Sequence, residues 1–192
     1  EREQEYFQII NSEGSRLSRL INNVLDLAKL EKRQRKLNLA RGTFEEVVAE
    51  VQTVMQAKLR QEGFTLKILH EDIAPFQYDR EAMIQVLINL IENSIKFCCS
   101  ALKKEITIRI FQEPKRVKIA VSDYGPGIPR HALKKVFDDF YRVDNDLARK
   151  TRGTGIGLAL VKKFIKLIGG DVTAKNNPAG GCTITISLPC GD

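Results

Sequence analysis

The sequence predicts a two-layer α/β sandwich preceded by one long helix, on three observations. From Glu5 to about Lys36, apolar residues recur at three- and four-residue steps with no proline among them. Further on, segments of alternating apolar and polar residues come in pairs, with helical stretches between them. Clusters of glycine then stand where strands or loops give way to turns and helices.

The elements follow in order. Ile10, Leu17, Leu20, Ile21, Val24, Leu25, Leu27, Ala28 and Leu30 form a stripe too wide for a lone helix to bury. Such a helix belongs in a bundle or a dimer. Leu37 to Leu39 reads as a short strand. Thr43-Phe-Glu-Glu46 reads as a capping box opening a helix to about Glu62, which Gly63 ends. Phe64 to Leu69 alternates as a strand does, and Pro75 lies in the loop after it. Asp79 is placed to cap a helix from Arg80 to Phe97. Glu105 to Phe111 and Val117 to Ser122 are rich in Ile and Val, with a hairpin turn at Glu113-Pro-Lys-Arg116. Polar residues without a period run from Asp138 to Thr154, as in a mobile loop. Gly155 to Ile168 is helical and Gly169-Gly170 stops it. Val172 to Lys175 and Thr183 to Leu188 close the chain as a strand pair around Asn177-Pro-Ala-Gly-Gly181.

Composition narrows the function classes. Of 192 residues, 43% are hydrophobic and 29% charged, which suits a globular domain with an appendage. No apolar run approaches the roughly 20 residues of a membrane helix, and no basic-then-apolar signal segment opens the chain. The opening Glu1-Arg-Glu-Gln-Glu starts in mid-pattern, as expected of an excised piece. The net charge of +7 fits either a solvated basic surface or attraction to polyphosphate or an acidic partner. Nucleic acid is not expected, since neither zinc-finger spacing nor an aromatic RNA-binding signature is present. Cys98, Cys99, Cys182 and Cys190 lack paired ligand spacing, so free thiols in a reducing cytoplasm are expected.

Several residues can carry chemistry. Asn89, Asn93 and Lys96 share one helical face. An amide oxygen suits a hard cation such as Mg²⁺, and an ammonium reaches a phosphate as a point charge. The alternative is an exposed polar face. Asp123 follows a strand that should be largely buried. Its carboxylate can accept from the exocyclic amine of adenine and would oppose the guanine carbonyl. It can equally open the turn ahead of Gly125. Gly125 and Gly127 let the backbone turn and approach a base. Gly153, Gly155 and Gly157 sit where a polar loop meets a helix N-terminus, which favours anions. They are neither a dinucleotide fingerprint nor a P-loop, lacking a βαβ unit and a Gly-Lys-Thr ending. Phe137, Phe140 and Tyr141 read by default as core aromatics. His70 and His131 are the only histidines.

Five segments, taken in order, resemble one family. Asn89-Leu-Ile-Glu-Asn93-Ser-Ile-Lys96-Phe97, Asp123-Tyr-Gly125-Pro-Gly127-Ile128, Phe137-Asp-Asp-Phe140-Tyr141-Arg142 and Gly153-Thr-Gly155-Ile-Gly157-Leu158 resemble the N, first-glycine, F and second-glycine boxes of sensor histidine kinases. Gly180-Gly181-Cys-Thr183 resembles that family's closing glycine turn. The resemblance implies the Bergerat ATP-binding fold, a mixed sheet covered on one face by helices. It implies ATP and Mg²⁺, with Asn93 on the metal and Lys96 on the phosphates. Asn93, Lys96 and Arg142 are then catalytic. Asn89, Asn93, Lys96, Phe97, Asp123, Gly125, Gly127, Ile128, Gly153, Thr154, Gly155, Gly157, Leu158 and Thr183 bind nucleotide. Residues 1–36 resemble the second helix of the dimerisation and phosphoacceptor hairpin, and 37–192 the catalytic ATP-binding domain. The implied partners are a response-regulator receiver domain and a second copy through the hairpin. Membrane anchorage of the whole protein stays open.

The family's acceptor histidine is absent, because neither His70 nor His131 stands in a His-Glu-x-Arg-Thr-Pro context. The same fold resembles gyrase, mismatch-repair ATPases, heat-shock chaperones and anti-sigma serine kinases. Those families place a glutamate one turn before the magnesium asparagine, where a general base can act. Here that position is Asn89, which cannot take a proton, so a kinase is expected. Glu92 could assist magnesium or be a surface charge. Departures from the family pattern are small: Phe97 for tyrosine, Ser94 for alanine and Ile156 for leucine. A regulatory module that binds ATP without transferring phosphate is the alternative of another class.

Overall fold

The computed structural model describes residues 2–31, 36–143 and 154–190. The chain divides into two compact units, residues 1–36 and 37–192. The predicted polar loop lies mostly outside the described residues, including Gly153, Arg149, Lys150 and Arg152.

Among the described residues, the first unit is one helix, α1 (Arg2–Glu31), three residues ahead of the expected start. Tyr6, Phe7, Ile10, Leu17, Ile21, Val24 and Leu25 are all exposed on it. A helix this apolar at its surface has a face without cover within its own unit.

The second unit carries β1 (Leu39–Gly42), α2 (Phe44–Glu62), β2 (Thr65–His70), β3 (Phe76–Asp79) and α3 (Arg80–Phe97). They are followed by β4 (Glu105–Glu113), β5 (Arg116–Ser122), two 3-10 turns, α4 (Gly157–Leu167), β6 (Asp171–Asn176) and β7 (Cys182–Pro189). The main sheet has five strands in the order β2-β4-β5-β7-β6. β2 and β4 run parallel and the other neighbours antiparallel, so the sheet is mixed.

The register explains the two layers. Ile68, Ile108, Val121, Ile184 and Ala174 form one cross-strand row, and Ile110, Ile119, Ile186 and Val172 another. Between them, Arg109, Ala120, Thr185 and Thr173 lie on the opposite face, as do Thr107, Ser122 and Thr183 on the other side of the first row. A period of two thus gives the sheet one apolar and one polar face. The helices supply the matching apolar side. Met83, Val86, Leu87, Leu90 and Ile91 of α3 and Leu160, Val161, Phe164 and Ile165 of α4 are essentially fully buried.

Three local expectations change. The first strand is Leu39–Gly42 rather than Leu37 to Leu39, and it pairs with β3, which the sequence did not announce. The Thr43 side chain makes no capping bond. Instead Phe44, Phe76 and Tyr78 pack ring on ring, and the Tyr78 hydroxyl donates to the Thr43 carbonyl at 2.8 Å. Tertiary packing therefore sets the entry to α2. α4 also starts at Gly157, two residues later than expected, because Gly155 takes a positive φ of 74°.

Other signals hold. Gly63 ends α2 with φ 73°. Asp79 caps α3 by accepting from the Ala82 amide at 2.9 Å, and its other oxygen accepts from the Asn38 amide at 3.0 Å.

Candidate functional site

α3 is the backbone of the site. Its last two turns present Asn89, Asn93 and Lys96 on one side and Ser94, Phe97 and Cys98 on the next. Asn89 and Asn93 meet the first residue of α4. A Cβ added to Gly157 would sit 3.5 Å from Asn93 Nδ2 and 3.6 Å from Asn89 Oδ1. The two amides thus lie against the N-terminus of an eleven-residue helix, where free backbone N–H groups and the helix dipole favour an anion. Asn93 Nδ2 is buried and, among the described residues, is the one buried side-chain polar atom with no hydrogen-bond partner. Leaving such a group unpaired costs about 1–3 kcal/mol. A ligand oxygen arriving between α3 and α4 would satisfy it.

Asp123 forms the second half. It is buried, directly after β5. Its Oδ1 accepts from the backbone amides of Gly125 at 3.0 Å and Cys182 at 3.1 Å. The turn-opening reading of this residue therefore holds: its carboxylate accepts from the Gly125 amide. Oδ2 has weaker company, the Ser94 hydroxyl at 3.4 Å and the Cys182 thiol at 3.3 Å. Ser94 thereby ties the asparagine helix to Asp123. Burial and the Asp123 charge push the Cys98 thiol up to about 12 and raise Cys182 as well.

Close packing accounts for the glycines around Asp123. Gly181, at φ 81°, lies so near that a Cβ would meet the Asp123 carbonyl oxygen at 2.0 Å. Gly127, at φ 76°, backs onto Asn176, whose Oδ1 would be 2.9 Å from a Cβ. Asn176 grips Ile128 on both sides, accepting from its amide at 2.8 Å and donating to its carbonyl at 2.6 Å. Asn177 Nδ2 donates to the Asp123 carbonyl at 3.2 Å, and Asn177 Oδ1 accepts from Thr183 Oγ1 at 2.7 Å. Sequence reasoning missed this Asn176-Asn177 pair, reading Asn177 only as the start of a turn.

Not every expected residue converges. Thr183 lies on the polar sheet face, with its hydroxyl engaged by Ser122 and Asn177. The residue beside the Asp123 carboxylate is its neighbour Cys182. Lys96 is half-buried, with its ammonium 4.5 Å from the Phe97 ring centroid. Phe137 is core, whereas Phe140 is largely exposed at φ 59°. Arg142 and Thr154 are exposed and Leu158 half-buried, at the borders of the described segments. Glu92 turns toward α2, where Lys58 Nζ holds it at 2.6 Å.

Residues 78–192 match the model of the histidine kinase-, DNA gyrase B-, and HSP90-like ATPases. The chain belongs to that ATPase family. Its domain is thereby an ATP-binding one, and its relatives are histidine kinases. It is 31% identical over 98% of its length to the circadian input-output histidine kinase CikA of Synechococcus elongatus, and 30% identical over 96% to the sensor histidine kinase WalK of Bacillus subtilis. It spans 25% and 30% of those two proteins' own lengths. Among solved structures, the catalytic domain of histidine kinase ThkA shares 26% identity at a TM-score of 0.68, over 80% of this chain and 97% of that one. Full-length ShkA in complex with AMPPNP superposes at 0.82 over 100% of this chain and 39% of that one; at 23% identity, this is a likeness of fold. ThkA in complex with the response regulator protein TrrA gives 0.75 at 24% identity, over 97% of this chain and 51% of that one. With the fold and these relatives in hand, the domain is the ATP-binding catalytic domain found in sensor histidine kinases.

Proposed function

We propose that this domain binds Mg·ATP between α3, α4 and the Asp123 turn, and presents the γ-phosphate to a histidine on a separate helix. The observation that carries the reading is the meeting of Asn89 and Asn93 with the α4 N-terminus, beside the unpartnered Asn93 amide. Asp123 Oδ2 would accept the exocyclic amine of adenine, since the Ser94 and Cys182 donors it has are long and weak. Gly125, Gly127 and Ile128 would border the base, with Phe97 beside them. Lys96, Arg142, Gly153, Thr154, Gly155, Gly157 and Leu158 would attend the phosphates. Thr183 would act by fixing Asn177. Magnesium would be held by Asn93, an oxygen donor suited to a hard cation, and would supply neutralisation of the phosphate charge.

Phosphoryl transfer leaves the protein little covalent work, so positioning and charge dominate. Asn89 cannot serve as a base, and Glu92 is engaged by Lys58 on α2. The site therefore suits a nucleophile that needs little activation, and a neutral imidazole is one. α1 would be one helix of a dimerisation and phosphoacceptor hairpin, its exposed apolar stripe covered by the other helices. The phosphate would then pass to an aspartate on a response-regulator receiver domain. No helix among the described residues is long and apolar enough to cross a membrane. The described cysteines are unpaired, which supports a reducing cytoplasmic setting.

Calorimetry with ATP, GTP and Mg²⁺ tests the nucleotide site. ATP should bind more tightly than GTP. Asp123→Asn should weaken ATP by about tenfold to a hundredfold, the scale of a lost charge-assisted hydrogen bond. Equal affinities for the two nucleotides in the parent chain would remove Asp123 from its assigned role.

A further inference from the structure

The turn after Phe137 is held from outside itself. Asp138 to Tyr141 closes on one backbone bond, the Tyr141 amide donating to the Asp138 carbonyl at 3.2 Å. Its third residue, Phe140, takes a φ of 59°. Glycine or asparagine is usual at such a place, and a bulky side chain there is strained. A strained turn persists only where its surroundings determine it. α4 and the residues leading into it supply those surroundings. Gly155 backs so closely onto the turn that a Cβ would stand 2.8 Å from the Phe140 carbonyl carbon and 2.8 Å from the Tyr141 carbonyl oxygen. Lys163 Nζ donates to Asp139 Oδ2 at 2.8 Å, and Lys162 Nζ lies 3.5 Å from Asp138 Oδ1. Two successive carboxylates thus meet two successive lysines of the helix whose first residue faces Asn89 and Asn93.

We infer that Lys162 and Lys163 are positioning residues for phosphoryl transfer, clasping Asp138 and Asp139 so that the strained turn delivers Arg142 to the phosphates in one fixed frame. The inference rests on the Mg·ATP reading above and adds to it the residues that keep Arg142 in register with the α4 N-terminus. Neither lysine touches the nucleotide; both act through the turn. One helix then sets two things together, the anion site at its first residue and the approach of Arg142. Both carboxylates are exposed, so each pair biases the turn only about twofold to fivefold. Two together reach about fourfold to twenty-fivefold, which matches the bias of about fivefold to thirtyfold against one left-handed residue.

The test is charge reversal and its repair. Lys162→Glu with Lys163→Glu breaks both pairs. Asp138→Lys with Asp139→Lys breaks them from the other side, and all four changes together restore them reversed. Hydrogen exchange of the Tyr141 amide reads the turn, and the rate of transfer from Mg·ATP to an added histidine-bearing hairpin reads the site. Each broken variant should exchange Tyr141 about threefold to tenfold faster and transfer phosphate more slowly by a similar factor. The four-site swap should recover most of both. Thermal melts show that each variant is folded; where a reversal is not, Asp139→Asn and Lys163→Met give the same test with smaller effects. The two reversals move the net charge in opposite directions. Lysines acting directly on phosphate would therefore slow transfer in one and speed it in the other, and that pattern overturns the inference. An unchanged Tyr141 amide, or a swap that recovers nothing, overturns it too. A parent chain that neither binds Mg·ATP nor labels a hairpin would remove the function proposed above and this role with it. A working parent with unaffected variants removes the role of the lysines alone.

Discussion

Asp123 concentrates the site's constraints at the scale of single residues. Its carboxylate, carbonyl and amide are all engaged, by Cys182, Gly125, Ser94 and Asn177. Gly181 packs against its carbonyl. Gly181→Ala should therefore cost at least about 3 kcal/mol, combining a positive φ with a backbone clash. Gly63→Ala is the control: its φ is also positive, at 73°, but the nearest atom to a Cβ would be 3.9 Å away. It should cost only the left-handed strain, about 1–2 kcal/mol. Chemical denaturation of the two variants measures the difference, and equal losses would contradict the packing argument. Cys98 adds a pH dependence. Its thiol is raised from 9.0 to about 12, chiefly by burial and next by Asp123. The folded chain then binds more protons than the unfolded one between those values. Stability should be full below pH about 9 and fall as pH rises toward about 12. Denaturant midpoints at pH 8 and pH 10 should drop for the parent, and drop less for Cys98→Ala.

The elements differ in how much of them the sequence disclosed. α3 was legible because local chemistry and tertiary structure agree: Asp79 caps it and buried residues recur along one face. Its site-bearing asparagines were legible for the same reason, since helical spacing alone places them together. β3 was not, because four residues with Gln77 at the centre make no alternating pattern of useful length. The Thr43 box misled because the Phe44, Phe76 and Tyr78 rings, distant in sequence, fix that turn instead. Cys182 and Asn176 were hidden for a related reason. What they do depends on a chain reversal that brings Cys182 of β7 to Asp123 and Asn176 of β6 to Ile128, in the turn that follows β5. Asp79→Ala tests whether the cap matters to the site. It removes a helix cap and the bond to Asn38, and should cost about 2–3 kcal/mol. ATP affinity should fall as well, since α3 carries Asn89 and Asn93. Full retention of ATP affinity in a destabilised variant would show that the helix is held in place from its other end.

At the scale of the whole molecule, the question is what the bound nucleotide can reach. The net charge of +7 favours encounter with polyphosphate at low ionic strength. Transfer, however, requires a nucleophile within about 3 to 3.5 Å of the γ-phosphorus. Both histidines of this chain belong to residues 37–192, the unit that would hold the nucleotide. His70 ends β2, with Nδ1 3.5 Å from Glu45 on α2. His131 is exposed in a 3-10 turn just past Ile128. Neither rides on a helix that could swing against the domain. The 192-residue chain incubated with radiolabelled ATP and Mg²⁺ should therefore stay unlabelled. Acid-labile label should appear on an added helical hairpin bearing a histidine acceptor. It should disappear when Asn93→Ala replaces the parent, because the amide at the meeting of α3 and α4 is then gone. Label on His70 or His131 in the isolated chain would overturn this account of the site. A chain that binds ATP tightly yet labels no cognate hairpin would instead be a nucleotide-binding regulatory module.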